Sequence, residues 1–227
     1  MHQIRLCVRM CLLFLIFTVA ADAQLWTSRY TSPGARPDIP VAVLTTPRQI
    51  VVVGSAFHSA SGWDIVCIAL NRAGDTLWIR TITTAADEMA TAAAIDAAGN
   101  VVIAGSMWSS TQRWQTLVAC VAQDGSELWR RTYSAPQAGD DKPCGIAALN
   151  DGGIAVAVAS NTFTGLPAAV TLVYDAAGTL RWSQRHEGSH GAVPAAIAGG
   201  SSVAVAGSAM NATDSDAMML LYTPAGV

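Results

Sequence analysis

The chain has 227 residues, 52% of them hydrophobic and 13% charged, and a formal net charge of −3 at pH 7. A low charge density with many alanine, valine and glycine residues argues against a disordered chain and favours a buried, sheet-rich body. Lys142 is the only lysine, so no basic stripe is present to neutralise phosphates. We therefore expect no nucleic-acid partner.

Residues 1–23 have the pattern of a secretory signal peptide. Arg5 and Arg9 precede a short apolar run, and Ala21-Asp22-Ala23 forms an A-x-A cleavage site. We predict cleavage after Ala23 and a secreted or periplasmic product. The apolar run is too short to span a bilayer, and no later stretch is long and uniformly apolar, so we expect no membrane span in the mature chain.

Cleavage would leave three of the five cysteines, Cys67, Cys120 and Cys144, each within an apolar stretch. An odd number leaves at least one thiol unpaired. Cysteine in such stretches commonly behaves as a small buried hydrophobe, which favours free buried thiols over a disulfide or a metal site.

Three sequence anchors recur in the same order along residues 24–227. Tryptophans recur at intervals of 51 to 53 residues, as Trp26, Trp78, Trp129 and Trp182. Turn glycines follow as Gly74, Gly125, Gly178 and Gly226, and an apolar run ends in a small residue at Gly54, Gly105, Ala159 and Gly207. We predict one repeat array with units at approximately 25–76, 77–127, 128–179 and 180–227.

Each unit contains four short strand-like segments. In residues 77–127 these are LWIRTI, TAAAIDA, NVVIAGSM and TLVACVAQ, with turn signals at 96–100 and 123–126. No segment holds a helical period. A four-stranded unit of this size is typical of a β-propeller blade, so we predict an all-β, propeller-type array of four units of about 51 residues.

Two phrases, DAAGTLRW at 175–182 and DAAGNVVIAGS at 96–106, resemble bacterial SBBP-type and PQQ-like β-propeller repeats. The resemblance covers residues 25–227 and implies that the four tryptophans pack between neighbouring blades. Such repeats occur in enzymes, assembly factors and surface proteins, so the resemblance implies a fold and no particular activity. Ala159 in the glycine place and Leu-Arg-Trp in place of Leu-Trp at Trp182 are departures, and we expect distorted blades there.

Strand parity places alternate connections on opposite edges of the array. The short recurring turns lie on one edge, the turn face. The other edge, which we call the variable face, receives loops that we predict to be long and dissimilar, such as AFHSASGWD and MWSSTQRWQ. Loops on a rigid scaffold often carry binding residues. The candidate binding residues on this face are His58, Trp63, Trp108, Arg113, Trp114, Phe163 and His190.

Signatures of catalysis and metal binding are weak. His186 and His190 are four residues apart, but the glycines between and after them oppose a helical zinc motif. No nucleophile elbow, phosphate-binding glycine loop, Cys-x-x-Cys or His-Glu-x-x-His is present. We expect no metal and no cofactor, and we place no catalytic residue. Asp64 and Asp216 lie at matching places before the turn glycines, which favours a capping role.

Two functions remain open from the sequence. The first is a secreted or periplasmic binding or scaffold domain that presents aromatic and acidic loops to a protein or a glycan. The alternative is a degenerate or truncated extracellular enzyme, either a hydrolase or a quinoprotein-like oxidoreductase. It would need Asp87, Asp141, His190 and Asp214 to converge.

Ring closure is the remaining question. The segment Trp26–Tyr30 resembles the tryptophan strands and could pair with Met218–Tyr222 to close the array. Four units are at the lower limit for a closed propeller. We therefore expect an open or incomplete arc, with edge strands that could support self-association.

Overall fold

The computed structural model describes residues 26–33, 36–137, 139–162 and 165–227, which form fifteen β-strands and no helix. Sheet I contains β1 (Ile39–Thr45), β2 (Ile50–His58), β3 (Gly62–Leu70) and β4 (Thr76–Ile82). Sheet II contains β5 (Glu88–Ile95), β6 (Val101–Ser109), β7 (Arg113–Val121) and β8 (Glu127–Tyr133). Sheet III contains β9 (Gly139–Ala148), β10 (Ile154–Thr162), β11 (Ala168–Tyr174) and β12 (Leu180–His186). Sheet IV contains β13 (Ala192–Ala198), β14 (Val203–Met210) and β15 (Ser215–Tyr222).

Every sheet is an antiparallel meander in which sequence neighbours pair, and no sheet closes on itself. The prediction of an all-β, propeller-type array is therefore confirmed, with three strands in sheet IV. None of the described residues lies in a helix long and apolar enough to cross a membrane. The predicted signal peptide, residues 1–23, lies outside the described residues.

The sheets are offset by one strand from the sequence units. A unit was counted from its tryptophan, but Trp78 lies in β4, the last strand of sheet I, and Trp129 and Trp182 likewise lie in the last strands of sheets II and III. Each tryptophan strand pairs with the strand before it, because only a tight glycine turn separates the two. A sheet thus combines three strands of one unit with the first strand of the next.

Apolar residues on both faces of the middle strands hold the sheets together. Val53 and Cys67 of sheet I pack with Ile103 and Leu117 of sheet II. Equivalent layers join sheet II to sheet III and sheet III to sheet IV. We call the face that a sheet turns toward the next sheet its leading face, and the opposite one its trailing face.

The three described cysteines are free thiols. Cys67 and Cys120 are fully buried, and burial raises the pKa of each thiol to about 12. Cys144 is partly buried, and burial raises its pKa to about 11. These thiols are therefore protonated at neutral pH and serve as small apolar residues of the sheet interfaces.

A β-bulge in the first strand of each sheet explains the second glycine anchor. The register shifts at the same place in all four sheets, between Pro40 and Ala42 in sheet I. The bulge brings the Ile39 carbonyl oxygen to 2.5 Å from where a Cβ of Gly54 would lie. In sheet III the matching residue is Val158, which pairs with Pro143. Placing Ala159 at this position was therefore wrong by one residue.

Sheet III also shows why the Leu-Arg-Trp departure causes no distortion. The register shifts just before the tryptophan in β4, β8 and β12 alike, so the preceding residue is left out of the pairing. Leu77 and Leu128 occupy this unpaired place in sheets I and II and are exposed, and Arg181 occupies it in sheet III. An arginine fits there because its head reaches solvent and pairs with Asp151. The expected distortion is not found.

The tryptophan and turn-glycine anchors contact each other across the sheet interfaces. Each indole ring lies against a glycine of the next sheet's last turn, and that glycine has a positive φ of 77° to 90°. The pairs are Trp26 with Gly74, Trp78 with Gly125, Trp129 with Gly178, and Trp182 with Gly226. A side chain at these glycines would collide with the ring and strain the backbone. We call this contact the Trp–Gly lock.

Hydrogen bonds complete each lock. Every indole Nε1 donates to the carbonyl oxygen two residues before the glycine, namely that of Arg72, Gln123, Ala176 or Pro224, at 2.9–3.0 Å. Two residues after three of the tryptophans, Arg80, Arg131 and Gln184 donate to the glycine carbonyl itself at 2.6–2.8 Å. The implied packing of tryptophans between blades is confirmed. Arg80 and Arg131 thereby connect neighbouring sheets.

The array is open at its ends. Residues 26–30 form the first lock but belong to no strand of the four sheets. The predicted Trp26 strand is therefore wrong. β15 pairs with β14 and not with Trp26–Tyr30, as expected for an open arc.

Substituting a lock glycine should cost more than substituting an equivalent turn glycine outside a lock. Gly178 and Gly152 have φ values of 77° and 81°, but a Cβ on Gly178 would lie 2.5 Å from the Trp129 ring, whereas one on Gly152 would meet nothing within 4 Å. Gly152→Ala should cost about 1 kcal/mol from backbone strain alone. Gly178→Ala should cost about 2–4 kcal/mol because it also displaces the indole. Urea denaturation measures both, and equal losses would contradict the lock.

Candidate binding surface

The connections on the variable face are shorter than the sequence suggested. β2 and β3 remain paired as far as His58 and Gly62, so the loop between them is Ser59–Ser61. The other connections on this face are similarly short, as are the turns on the opposite face. The predicted long loops are therefore wrong, because strand pairing continues into them. The two faces differ in side chains, and the candidate residues lie largely on strand ends.

Aromatic pairs occupy the same place in sheets I and II at the variable face. Phe57 pairs across the strands with Trp63, and their rings meet edge to face at 5.8 Å. Trp108 pairs with Trp114 in the equivalent register, with ring centroids 5.4 Å apart. Trp108 is 38% exposed, and Trp63 and Trp114 are partly exposed. These four side chains lie at the same strand ends of neighbouring sheets, and we call them together the aromatic shelf.

Cationic side chains lie over the rings of the shelf. Arg36 lies 4.6 Å from the centroid of Phe57. The guanidinium of Arg113 lies 6.0 Å from the Trp108 ring, and Lys142 lies 5.4 Å from Trp114. Such cation–π contacts stabilise an exposed aromatic ring by about 0.5–1 kcal/mol and hold the cation near it.

Asp140 connects the two cations that lie beside the Trp108–Trp114 pair. Arg113 Nε donates to its Oδ1 at 3.0 Å, and Lys142 Nζ lies 3.7 Å from its Oδ2. Asp140 and Lys142 belong to β9 of sheet III, so this part of the shelf spans two sheets.

Arg113 has an unusual backbone. Its φ is +64°, the only positive φ among the described non-glycine residues. The matching residue of sheet I is Gly62, with φ +88°. A non-glycine residue in this conformation costs about 1–3 kcal/mol, and such strain often accompanies functional sites.

Acids at or just before the first strands have a structural role. Asp38, Glu88 and Asp141 precede the bulge by the same distance and accept from the backbone N–H groups of Ser32, Thr84 and Ala135 at 2.7–3.1 Å. Glu88 is fully buried, and burial raises its pKa despite two hydrogen bonds from Thr84. These acids hold the connections between sheets in place.

A buried carboxylate organises the β2–β3 loop. Asp64 Oδ2 contacts His58 Nδ1 at 2.7 Å and accepts from Ser61 Oγ at 2.5 Å. Asp216 holds the matching place in sheet IV and accepts from Asn211 at 3.1 Å. Both carboxylates order the loop that precedes them, in keeping with the predicted capping role. His58 thus belongs to the scaffold beside Trp63.

The other candidates are separate from the shelf or outside the described residues. His190 lies on the exposed connection between sheets III and IV and contacts Ser189 at 3.1 Å. Phe163 lies outside the described residues. The structure therefore groups Trp63, Trp108, Arg113 and Trp114 on sheets I and II and leaves His190 apart.

The carboxylates considered for an enzyme are engaged separately. Asp87 accepts from the Trp63 backbone N–H at 2.9 Å, and Asp214 pairs with Asn211. Asp141 is buried and accepts from the backbone N–H of Ala135 in the connection between sheets II and III. In the described part of the chain, no group of three or more His, Cys, Asp or Glu side chains could hold a metal ion.

Sequence reasoning missed Phe57, Arg36, Asp140 and Lys142. Phe57 could have been found, because it precedes His58 as Trp108 precedes Ser109 in the repeat. The charged residues could not, because their contacts depend on how the connections between sheets fold.

Comparisons with known proteins do not assign the chain to a family. No family model matches, and no curated protein matches. Solved structures similar to this chain include a puromycin hydrolase mutant (TM-score 0.47, 19% identity, 83% of this chain and 29% of that one). A Synechocystis apocarotenoid oxygenase mutant gives a TM-score of 0.46 at 13% identity, over 78% of this chain and 47% of that one. A Bacteroides caccae protein of unknown function gives 0.41 at 13% identity, over 82% and 73%.

This chain thus spans less than half the length of the first two structures. The SBBP-type or PQQ-like family remains a prediction. The propeller-type description rests on the sheets and locks of the chain itself.

The strain at Arg113 can be measured by a pair of substitutions. Arg113→Gly and Arg113→Ala remove the same contacts, but only glycine relieves the positive φ. Arg113→Gly should therefore be about 1 kcal/mol more stable than Arg113→Ala in urea denaturation. At the neighbouring Gln112, where φ is not positive, the order should reverse, because glycine loses more backbone entropy on folding. The same order at both positions would contradict the strain at Arg113.

Proposed function

We propose that the chain is a binding module, acting outside the cytoplasm, that recognises a protein partner through the aromatic shelf. The observation that carries this proposal is the repeated aromatic pair at one register of sheets I and II, with Trp108 38% exposed beside Arg113. Tryptophan and arginine dominate the binding energy of protein interfaces, where clusters of them form hot spots.

The geometry favours a protein over a glycan. A sugar ring binds by lying flat on an open aromatic face, but Arg36, Arg113 and Lys142 lie over the rings of the shelf. Tryptophan edges combined with cations and Asp140 instead suit the mixed apolar and acidic side chains of a protein surface. The glycan remains an outcome of the test.

Rigidity supports the same function. The shelf residues lie at the ends of paired strands, so their positions are fixed by the sheet ladder and by the locks behind it. A preorganised surface loses little conformational entropy on binding. The shelf is therefore a preorganised surface for binding a partner.

The second candidate is an extracellular hydrolase or oxidoreductase, favoured only by the contact between His58 and Asp64. A buried aspartate at 2.7 Å from a histidine is the orienting half of a catalytic triad. Ser61, however, donates to Asp64 instead of to His58. A histidine cannot activate a serine whose proton is directed elsewhere, so we rank this function second.

Binding can be tested with the shelf intact and altered. The purified chain is used to capture proteins from the medium of its source cells, and captured proteins are then measured individually by calorimetry. Trp108→Ala and Trp114→Ala should each weaken a true partner about 30-fold, corresponding to about 2 kcal/mol. Leu180→Ala, at an exposed hydrophobic residue of β12 away from the shelf, is the matched control and should leave binding unchanged.

Two results would contradict the proposal. A partner whose affinity is unaffected by both tryptophan substitutions binds elsewhere. Binding to a glycan array that is lost in Trp108→Ala, without any protein partner, would assign the shelf to carbohydrate instead.

A further inference from the structure

Gly62 and Arg113 hold the same place in sheets I and II, and an aspartate from the following connection or strand lies beside each. In sheet I, Asp87 Oδ1 accepts from the Trp63 backbone N–H at 2.9 Å and fills the space that a side chain at Gly62 would need. In sheet II, Arg113 has a side chain, and its Nε donates to Asp140 Oδ1 at 3.0 Å. The aspartate is thus kept in both sheets, but it binds the backbone in one and a guanidinium in the other.

The hairpin of sheet II does not require an arginine at this place. Sheet I shows that a glycine with an aspartate satisfies the same positive φ without strain. Arg113 instead adopts a φ of +64°, and its guanidinium lies 6.0 Å from the exposed Trp108 ring. Backbone strain of this kind is found most often where the strained residue has a function. What the arginine adds to sheet II is a positive charge beside an exposed indole.

Lys142 adds a second cation to the same part of the shelf. It is the only lysine of the chain, and its side chain is 49% exposed. Asp140 and Lys142 are two residues apart on β9, so their side chains lie on the same side of the strand. Lys142 Nζ lies 5.4 Å from the Trp114 ring centroid and 3.7 Å from Asp140 Oδ2, which is beyond hydrogen-bond distance. Because an ammonium group has three N–H donors, Lys142 can donate to an acceptor that reaches this surface.

The charges of this cluster suit one negative charge. Arg113 and Lys142 are positive and Asp140 is negative, so the three side chains together carry a single positive charge. A carboxylate balances that charge. A phosphate dianion would leave an excess negative charge next to Asp140, which opposes its binding.

An exposed ion pair alone holds a ligand weakly, with a contribution of about 0–1 kcal/mol. Trp108, which is 38% exposed, supplies apolar contact area next to the cations. Burying an apolar side chain on this ring adds binding energy that a free carboxylate cannot gain. The combination therefore favours a protein segment that carries a carboxylate and an apolar side chain close together.

We propose that the sheet II part of the shelf, Trp108 and Trp114, recognises an acidic segment of a protein partner. An Asp or Glu carboxylate of the partner accepts from Lys142 next to the positive charge of Arg113, and an apolar side chain of the partner packs on Trp108. Asp140 is a positioning residue that keeps the two cations together. This proposal rests on the function proposed for the shelf and names the chemistry of its partner.

The first experiment uses two synthetic peptides that differ only in charge. They are Leu-Glu-Leu-Glu and Leu-Gln-Leu-Gln, each acetylated and amidated so that the termini are neutral. Binding is followed by the indole N–H signals of the ¹⁵N-labelled chain. The Glu peptide should shift the signals of Trp108 and Trp114 and leave those of Trp129 and Trp182 in place. The Gln peptide should bind about 10-fold more weakly, because it lacks the charge-assisted hydrogen bond.

The second experiment changes the cation. Lys142→Gln should weaken binding of the Glu peptide about 10-fold and leave the Gln peptide unaffected, whereas Lys142→Arg should keep the preference for the Glu peptide. Arg48→Gln is the matched control, since it removes one positive charge at an exposed residue of the β1–β2 turn, on the opposite face. It should leave the affinity for both peptides unchanged.

Titrations with sodium acetate and with inorganic phosphate separate a protein segment from a free anion. Acetate should bind more weakly than the Glu peptide, because it makes no contact with Trp108. Acetate that binds as tightly as the peptide would overturn the protein segment as the ligand. Phosphate that binds more tightly than the peptide would overturn the choice of a single carboxylate.

The remaining outcomes distinguish this proposal from the function on which it rests. Equal affinity for the Glu and Gln peptides, no shift with the Glu peptide, or an unchanged affinity in Lys142→Gln would each overturn the acidic partner. A captured protein that needs Trp108 but binds Lys142→Gln as tightly as the unaltered chain would also overturn it, and the shelf would remain a binding surface. A captured protein that needs neither Trp108 nor Trp114 would instead overturn the function proposed for the shelf.

Discussion

The contact between a tryptophan ring and a turn glycine of the next sheet is the constraint on which the rest of the structure depends. Each turn needs a positive φ to reverse the chain between the last two strands, which glycine adopts without strain. The same glycine has no side chain, so the indole can lie against its backbone and donate to the carbonyl oxygen two residues earlier. One residue type therefore meets two requirements, and the two anchors recur in the same order along the chain.

The locks determine how the sheets can be used. They fix the outer edge of each interface while small apolar side chains such as Ala104 and Cys120 fill its middle. With the sheets held in this way, strand ends at the variable face become rigid supports for exposed rings. The strain at Arg113 is tolerated because paired strands on both sides over-determine its backbone. The leading face of sheet IV, by contrast, is exposed at Met219 and Leu221.

Much of the fold could be predicted from the sequence, because the anchors are local and repeated. The recurrence of the tryptophans and turn glycines indicated the unit, and the predicted turn at 96–100 is present, closed by backbone hydrogen bonds between Asp96 and Asn100 and between Gly99 and Asp96. The sequence could not show which strands share a sheet, because the strand that pairs with a tryptophan strand is determined by the tertiary structure. The predicted loop lengths were wrong for a similar reason, since polar residues at strand ends, such as His58, are of the types usual in loops. Of the shelf, the tryptophans were predictable, whereas the cations depend on connections between sheets.

Hydrogen exchange of the tryptophan indole groups tests the lock most directly. In a ¹⁵N-labelled sample, substitution of single tryptophans by phenylalanine assigns the seven indole signals. The lock predicts slow exchange for Trp26, Trp78, Trp129 and Trp182, whose Nε1 groups donate to backbone carbonyls. It predicts fast exchange for the shelf residues Trp63, Trp108 and Trp114, whose Nε1 groups have no acceptor among the described residues. Exchange of the first four at the rate of the other three would contradict the lock as the interaction that joins the sheets.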